Sequence, residues 1–327
     1  MTVETPLWER LDELEEYGAL VKQRLDHVVP VREPLVLVSQ VQRSGGTLLS
    51  QLFDGHPECH AHPHEIKIGY PRESNWPPIH LARPGEWFEL LFEKKALTHL
   101  QEGYQKRGAK QEDKTYHEYD VFPFLFLPRL QKAVFEAQAA SAASERDVLD
   151  AYFTSYFNAW LDNHNLYTGS KRVVTGFTPR LAMDPDNREK FFAAYPDGAL
   201  VVIVREPQSW YRSAVKYSPK RFPDVETALP LWRESAEAGF ADRAIVVTYE
   251  RLVEQPEDVM ARLAKRIGIS MSPVLLEPTF NGRPIRANSA DAVAQYGILA
   301  KRERPAPDPR VDELAGDLYE RAAAISL

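Results

Sequence analysis

Cysteine is almost absent from this sequence, because Cys59 is the single example in 327 residues. One cysteine excludes an internal disulfide bond and is typical of a protein from a reducing compartment. The sequence also lacks any run of about 18 apolar residues, so no membrane span is predicted. The first ten residues contain no apolar core of the kind that signal peptides carry. These absences predict a cytoplasmic protein.

An excess of positive charge is also missing. The chain has 40 lysines and arginines against 47 aspartates and glutamates, which gives a formal net charge of -7. This balance argues against a nucleic-acid partner, although binding one small anion needs only a local basic site. A hydrophobic content of 44% and a charged content of 27% are ordinary for a globular protein. The oligomeric state is left open, and a homo-oligomer is compatible with the composition.

What the sequence does contain is an alternation of apolar runs with helical patterns. Such alternation predicts an α/β fold with a parallel sheet and helices on both faces. The fold class expected is a P-loop NTPase-like parallel sheet flanked by helices, with a largely helical insertion. We predict one domain over residues 1–327, with a core at 34–57 and 172–290 and an insertion at 58–171. The expected strands are Leu35–Val38, Arg172–Phe177, Ala199–Val204 and Ala244–Thr248.

A loop rich in small residues follows the first strand. It contains Arg43, Ser44, Gly45, Gly46 and Thr47, and a short helix is predicted directly after it. Two glycines let successive backbone N–H groups point into one concavity, and the start of the helix adds a positive dipole end. Hydroxyl donors and a permanently charged guanidinium complete a set of groups that suits an anion. The alternative is a plain strand-to-helix turn that needs small residues.

A second basic position lies at the end of a later strand. Arg205 follows the run 199–204, and Ser213 comes eight residues later in the predicted next helix. Ligands of open α/β sheets bind outside the carboxyl ends of the strands, so Arg205 is expected at the same sheet edge as the loop. Two anion sites at one edge favour a nucleotide with two separated phosphates.

At these residues the sequence resembles the sulfotransferases that use 3′-phosphoadenosine 5′-phosphosulfate (PAPS). Their phosphosulfate loop has the pattern [KR]-S-G-[TS]-T, which Arg43 to Thr47 match with Gly46 at the variable place. Their 3′-phosphate motif pairs a strand-end arginine with a serine eight residues later. The resemblance covers residues 34–57 and 196–290 and is closer to the bacterial carbohydrate and tyrosylprotein branch than to the cytosolic phenol branch.

The resemblance implies a sulfuryl transfer from PAPS to a hydroxyl or amine of a small-molecule or glycan acceptor, with PAP as product and no metal. It implies that Arg43 faces the bridging oxygen and is catalytic. Tyr249 is the candidate for contact with adenine, and Leu48, directly after the loop, is a further candidate for nucleotide binding. A late segment carrying Arg283, Asn288 and Ser289 resembles a further nucleotide-binding stretch of the family.

The segment after the loop helix is rich in histidine, and His60, His62 and His64 alternate along a stretch that is expected to be extended. A metal site is one interpretation, but the spacing of the zinc motifs is missing, so none is predicted. In the related enzymes the residue that deprotonates the acceptor lies here and is often a glutamate. Glu65 is therefore the expected base, with His64 as the alternative. Solvent-exposed polarity remains an alternative for either residue.

Two other classes of function stay open. A P-loop kinase or nucleotide hydrolase would need the Walker lysine, which this loop lacks. A catalytically silent PAPS-binding protein would keep Arg205 and Ser213 but would have no base on the acceptor side. Turnover on a panel of hydroxyl compounds separates that class from a sulfotransferase.

Overall fold

A parallel five-stranded sheet forms the centre of the protein. The computed structural model describes residues 7–66, 76–101, 124–285, 297–298 and 306–327. The strands are β1 (Leu35–Val38), β2 (Cys59–Glu65), β3 (Val173–Phe177), β4 (Ala199–Val204) and β5 (Ala244–Thr248), in the order β2-β3-β1-β4-β5. Neighbouring strands are parallel throughout, with Val38 opposite Phe177 and Val201. All carboxyl ends of the strands therefore lie at one edge of the sheet.

Helices cover both faces of this sheet. They are α1 (Leu7–Asp26), α2 (Gly46–Leu52), α3 (Trp87–Leu91), α4 (Lys94–Gln101), α5 (Pro128–Ala139), α6 (Glu145–Ala159), α7 (Pro185–Ala194), α8 (Pro207–Tyr217), α9 (Val225–Glu237), α10 (Tyr249–Glu254), α11 (Pro256–Ile267), α12 (Pro309–Ala315) and α13 (Leu318–Ile325). Short 3₁₀ turns occupy Pro84–Glu86, Leu181–Met183, Ala238–Phe240 and Pro273–Leu276, and a small antiparallel hairpin pairs β6 (Thr279–Phe280) with β7 (Arg283–Pro284). Within the described ranges, no helix combines the length and the apolar character that crossing a membrane requires.

The side chains of the strands alternate between two hydrophobic cores. Leu35 and Leu37 of β1 pack in the larger core, which contains α6, α7 and α9. Val36 and Val38 pack in the smaller core, which contains α2 and α11. Because both faces are covered, β1 is buried along its whole length, as its continuous apolar run predicts.

The predicted fold class is confirmed, and the predicted strands agree closely with the observed ones. Helix α6 begins with a capping box: Ser144 accepts a hydrogen bond from the Asp147 N–H, and the Asp147 carboxylate accepts one from the Ser144 N–H. Sequence analysis did not identify β2. This strand lies in the segment assigned to the insertion, yet it forms one edge of the core sheet. The strand could not be recognised from the sequence, because its histidine-rich segment contains no apolar run.

Helices α5 and α6 pack against the β2 side of the molecule and carry most of its aromatic core. Phe153, Tyr156, Phe157 and Trp160 are all at most 2% exposed. The stretch before β1 is bound to the same helix, because the Val31 N–H donates to Thr154 Oγ1 at 2.9 Å and the Asn158 side chain bonds Val29. Thus α6 fixes both β2 and the entry into β1.

Candidate active site

The loop between β1 and α2 has the backbone geometry of an anion cradle. Arg43 and Gly45 both have left-handed φ angles, of 74° and 109°, on either side of Ser44. The N–H of Leu49 donates to the Gly45 carbonyl at 3.1 Å, so α2 begins directly at the loop. Left-handed residues alternating with ordinary ones turn consecutive N–H groups toward one side, and such concavities bind anions.

Close neighbours leave no room for a side chain at either loop glycine. A Cβ on Gly45 would overlap the ring of Tyr249 at the start of α10. A Cβ on Gly46 would overlap the side chains of Gln40 and Phe177. The loop backbone is therefore packed directly against side chains from β5–α10 and from the end of β3.

The two predicted anion-binding arginines meet at this loop. Arg43 Nε donates to Ser213 Oγ at 3.1 Å, and its guanidinium lies 4.8 Å from the ring centre of Tyr217. Arg205 donates from one terminal nitrogen to the Arg43 carbonyl at 2.9 Å. The Arg205 guanidinium also stacks on Tyr249, at 4.5 Å from the ring centre. Positions from three separate stretches of sequence thus form one cluster around the loop.

One polar atom in this cluster lacks a hydrogen-bond partner within the described part of the chain. Arg205 Nε is buried and finds no hydrogen-bond acceptor among the described residues. A buried donor without a partner costs about 1–3 kcal/mol, so such atoms in native proteins are usually satisfied by water or a ligand. An anion next to Arg205 would satisfy it.

Tryptophans that sequence analysis overlooked hold the loop in place. Trp210 Nε1 donates to the Gln42 carbonyl at 2.8 Å, and Trp232 Nε1 donates to the Arg205 carbonyl at 2.9 Å. The Val41 N–H donates to Ser235 Oγ at 2.7 Å. Trp210 could have been noticed, because it lies between Arg205 and Ser213; nothing in the sequence marks Trp232 or Ser235.

A buried carboxylate supports the turn after β4. Both oxygens of Glu250 accept from the Glu206 N–H at 3.2 Å, and Oε2 also accepts from the Tyr319 hydroxyl at 3.0 Å. Desolvation raises the pKa of Glu250, while these hydrogen bonds and the charge of Arg205 oppose the shift. Glu206 in turn caps α8 through the N–H groups of Gln208 and Ser209. These contacts fix the backbone that carries Arg205.

On the other side of the loop, β2 separates the two candidate bases. The rings of His60, His62 and His64 pack on Phe157 or Tyr156 of α6. Glu65 is instead in register with Phe177, after an irregularity in the β2–β3 ladder. Phe177 belongs to the core of α2 and contacts Gly46. Strand alternation therefore assigns Glu65 to the face of the loop and His64 to the opposite face.

His64 is engaged with the protein through both ring nitrogens. Nε2 lies 2.9 Å from the Tyr156 hydroxyl, and Nδ1 lies 2.6 Å from the Glu65 carbonyl oxygen. Its side chain is 10% exposed. Glu65 is half-buried. By its register with Phe177, Glu65 falls on the face of β2 that faces α2, whereas the His64 ring packs on Tyr156 of α6.

The neighbouring histidines are neutral at physiological pH. Burial lowers the pKa of His62 to about 4 and that of His60 to about 3. Burial, with the nearby Glu93 carboxylate, raises the pKa of Tyr152 and Tyr156 well above the ordinary value. Tyr152 donates a short hydrogen bond to Glu93. The α6 side of β2 is thus a buried network of neutral rings around one carboxyl group.

Residues 34–273 match the sequence model described as the sulfotransferase family. This match spans well over half of the chain. The protein belongs to the sulfotransferase family. The matched range includes the loop and the strand-end arginine from which the resemblance was inferred. The branch within the family stays a prediction.

Solved structures of sulfotransferases resemble this one at low sequence identity. The sulfotransferase domain from the curacin biosynthetic pathway is 15% identical, with a TM-score of 0.43, and covers 89% of this chain and 96% of that one. The sulfotransferase domain of the Synechococcus PCC 7002 olefin synthase is 19% identical, with a TM-score of 0.43, and covers 92% and 98%. Sulfotransferase STF9 from Mycobacterium avium is 16% identical, with a TM-score of 0.38, and covers 80% and 69%. No curated protein sequence matches the chain.

A further arginine lies at the sheet edge between the loop and Glu65. Arg180 follows β3 with a left-handed φ of 65°, and its N–H donates to the Gln40 carbonyl at 2.9 Å. The left-handed conformation was not predictable, because arginine has no preference for it.

The late segment is not brought to the loop in the described part of the chain. Arg283 is exposed in β7, and the N–H of the adjacent Gly282 donates to Asp54 Oδ2 at 2.8 Å. Asp54 follows the carboxyl end of α2, whereas the loop precedes its amino end. The hairpin therefore lies away from the loop, which counts against a role of Arg283 in nucleotide binding. Asn288 and Ser289 lie outside the described residues.

Proposed function

We propose that this protein transfers a sulfuryl group from PAPS to a hydroxyl, or an amine, of a small acceptor molecule. The proposal rests on one observation, the cluster in which Arg43 contacts Ser213 while Arg205 contacts both the loop backbone and Tyr249. A nucleotide with one phosphate group would need only the loop. A nucleotide with a second, 3′-phosphate accounts for an arginine and a serine at a separate strand end.

The residues of the cluster fit the parts of PAPS. The loop 43–47, followed by Leu48, would bind the 5′-phosphosulfate through backbone N–H groups and the hydroxyls of Ser44 and Thr47. Arg205 and Ser213 would bind the 3′-phosphate, and the buried Arg205 Nε provides a donor for it. Tyr249, which packs on Gly45, would contact the adenine. PAPS supplies an activated sulfuryl group, and no metal is required in this scheme.

The chain contributes positioning and charge to the reaction. Glu65 would accept the proton of the acceptor hydroxyl while the hydroxyl oxygen bonds to sulfur. The bond between sulfur and the bridging phosphate oxygen breaks at the same time, and the electron pair stays on PAP. Arg43, and Arg180 from the end of β3, are the charged groups near this edge that can offset the negative charge that develops.

Glu65 is preferred to His64 as the base for a geometric reason. His64 is on the α6 face of β2 and is occupied by Tyr156 and by the Glu65 carbonyl oxygen. Glu65 is in register with Phe177, whose ring contacts the loop at Gly46. A general base must reach the proton that it removes, so access to the loop side decides between the two.

The acceptor is proposed to be a carbohydrate, a glycolipid or another small metabolite, and the reaction is proposed to take place in the cytoplasm. One experiment tests the function. The protein is incubated with PAPS labelled in the sulfuryl group and a cell extract, and labelled products are identified by mass spectrometry. A sulfated product that the Glu65→Gln variant does not form supports the proposal. PAP binding without any transfer would identify a silent binding protein. A parallel incubation with ATP labelled in the γ-phosphate would identify a kinase if it gave a labelled product.

A further inference from the structure

A second cluster of potential ligands lies on the opposite face of β2 from Glu65. His62, His64 and Glu93 offer one ligand atom each, and these atoms all lie within 4.8 Å of one another. His62 Nε2 is 3.8 Å from Glu93 Oε1, and His64 Nδ1 is 3.6 Å from Glu93 Oε2. The side chains are at most 10% exposed. No step of the proposed reaction uses this cluster.

The hydrogen bonds around the cluster resemble the outer partners of a metal site. His62 Nδ1 bonds to the His64 carbonyl oxygen at 3.0 Å, which leaves the lone pair of Nε2 on the side of Glu93. Histidines that bind metals usually donate their other ring N–H to a carbonyl or carboxylate, which fixes the tautomer. The Tyr152 hydroxyl donates a hydrogen bond to the Glu93 carboxylate and thereby fixes its position.

His64 can bind through Nδ1 if its proton is on Nε2. The Tyr156 oxygen, 2.9 Å from Nε2, accepts the hydrogen bond of that tautomer. The present contact of Nδ1 with the Glu65 carbonyl oxygen, at 2.6 Å, is then exchanged for a bond to the metal. Because that carbonyl belongs to Glu65, an occupied site would act on the backbone of the proposed base.

The distances suit a small ion with nitrogen and oxygen ligands. Tetrahedral zinc with bonds of about 2.0–2.2 Å separates its ligand atoms by roughly 3.3 Å. The two distances to Glu93, 3.8 and 3.6 Å, exceed this value by a few tenths of an ångström. The three ligand atoms lie within 4.8 Å of one another, so side-chain adjustments of up to about 1.5 Å close the site. Two imidazoles with one carboxylate favour zinc over magnesium or calcium, which prefer oxygen ligands.

We propose that His62, His64 and Glu93 bind one zinc ion. The ion would join the carboxyl end of β2 to Glu93, which lies between α3 and α4, and would thereby hold the strand end that carries Glu65. With three protein ligands, a water molecule would complete the tetrahedral coordination, and because the site is buried and faces away from the loop, the ion would serve to fix the strand end. The proposal does not depend on the identity of the sulfuryl donor or acceptor.

Metal binding is measured on the full chain after removal of metals with a chelator. The protein is mixed with zinc, desalted and analysed for zinc by mass spectrometry, and a parallel sample receives cobalt(II) for its visible absorption. Glu93→Gln keeps the size of the side chain and an oxygen for Tyr152, so it is the preferred variant. His60→Asn is the matched control, because His60 is also buried on this face of β2 but lies outside the cluster, 4.0 Å from Glu33.

The wild-type protein and His60→Asn are expected to retain one zinc per chain and to develop the absorption of tetrahedral cobalt. Glu93→Gln should bind zinc more than about tenfold more weakly, since even outer partners of a metal site are worth that much. Zinc should also raise the melting temperature of the wild type but not of Glu93→Gln. Failure of the wild type to retain zinc, or equal retention by Glu93→Gln, overturns the proposal; the cluster is then a hydrogen-bonded network alone.

Discussion

The two sides of the sheet's carboxyl edge are built from different chemistry. On the nucleotide side, defined as the loop 39–47 with β4–α8 and β5–α10, permanent charges of Arg43 and Arg205 lie among partly exposed groups. On the acceptor side, defined as β2, residues 76–101, α5 and α6, the polar groups packed between β2 and α6 are buried neutral histidines and tyrosines around the Glu93 carboxyl group. The difference suggests that donor binding relies on fixed charge, whereas the acceptor side relies on rigid positioning of one carboxylate.

The strongest test of this comparison is the Glu65→Gln variant. It preserves the shape of the side chain and removes its basicity, so turnover should fall about 10²–10⁴-fold. PAP affinity, measured by calorimetry, should stay unchanged because the nucleotide side is intact. His60→Asn is the control on the same strand, because His60 lies outside the proposed zinc site, and it should retain most of the activity.

The opposite pattern would change the assignment. If His64→Asn abolishes turnover while Glu65→Gln does not, and PAP binding is normal in both, then the histidine is the base. If neither variant loses turnover, the base lies elsewhere on the acceptor side.

The sequence predicted the nucleotide side better than the acceptor side for a physical reason. A buried parallel strand can be recognised as a continuous apolar run. The glycines in the loop after β1 indicate a turn with left-handed backbone angles. By contrast, β2 alternates histidines with Cys59, Ala61 and Pro63, and the burial of the histidines depends on α6, a helix that is far away in sequence. The clustering of Glu93 with His62 and His64 arises from the tertiary fold alone, and neighbouring residues give no signal of it.

Arg205→Ala should have the next largest effect, and it should be confined to the nucleotide side. Loss of a charge-assisted hydrogen bond costs about 1.5–3 kcal/mol, which is about tenfold to more than a hundredfold in affinity. PAP binding should weaken by this factor, whereas binding of adenosine 5′-phosphate should change little. Calorimetry with both ligands measures the difference, and equal weakening of the two would argue against a 3′-phosphate contact at Arg205.

Comparing Gly45→Ala with a control variant separates the effect of backbone strain from the effect of packing against the loop on the nucleotide side. The new Cβ would overlap Tyr249, and alanine is also disfavoured at a φ of 109°. Gly268→Ala is the matched control, because Gly268 has a φ of 81° and open space around its Cβ position. Gly268→Ala should lose about 1 kcal/mol of unfolding free energy from backbone strain alone, and Gly45→Ala should lose more because of the overlap with Tyr249. Only Gly45→Ala should also weaken PAP binding, on the order of tenfold; similar affinities in the two variants would show that the loop tolerates displacement of Tyr249.

The smallest expected effect concerns the pH dependence of the acceptor side, at Asp150 of α6. Burial raises the pKa of this carboxyl group to about 6, although Arg146 and the Tyr195 hydroxyl oppose the shift. Because its pKa is higher in the folded than in the unfolded state, Asp150 stabilises the fold at low pH, and this contribution is lost as the pH rises through about 6. The loss between pH 5 and pH 7 should be about 1 kcal/mol. Urea unfolding at both pH values should show this decrease in the wild type and a smaller one in Asp150→Asn, whereas equal decreases would mean that Asp150 ionises normally.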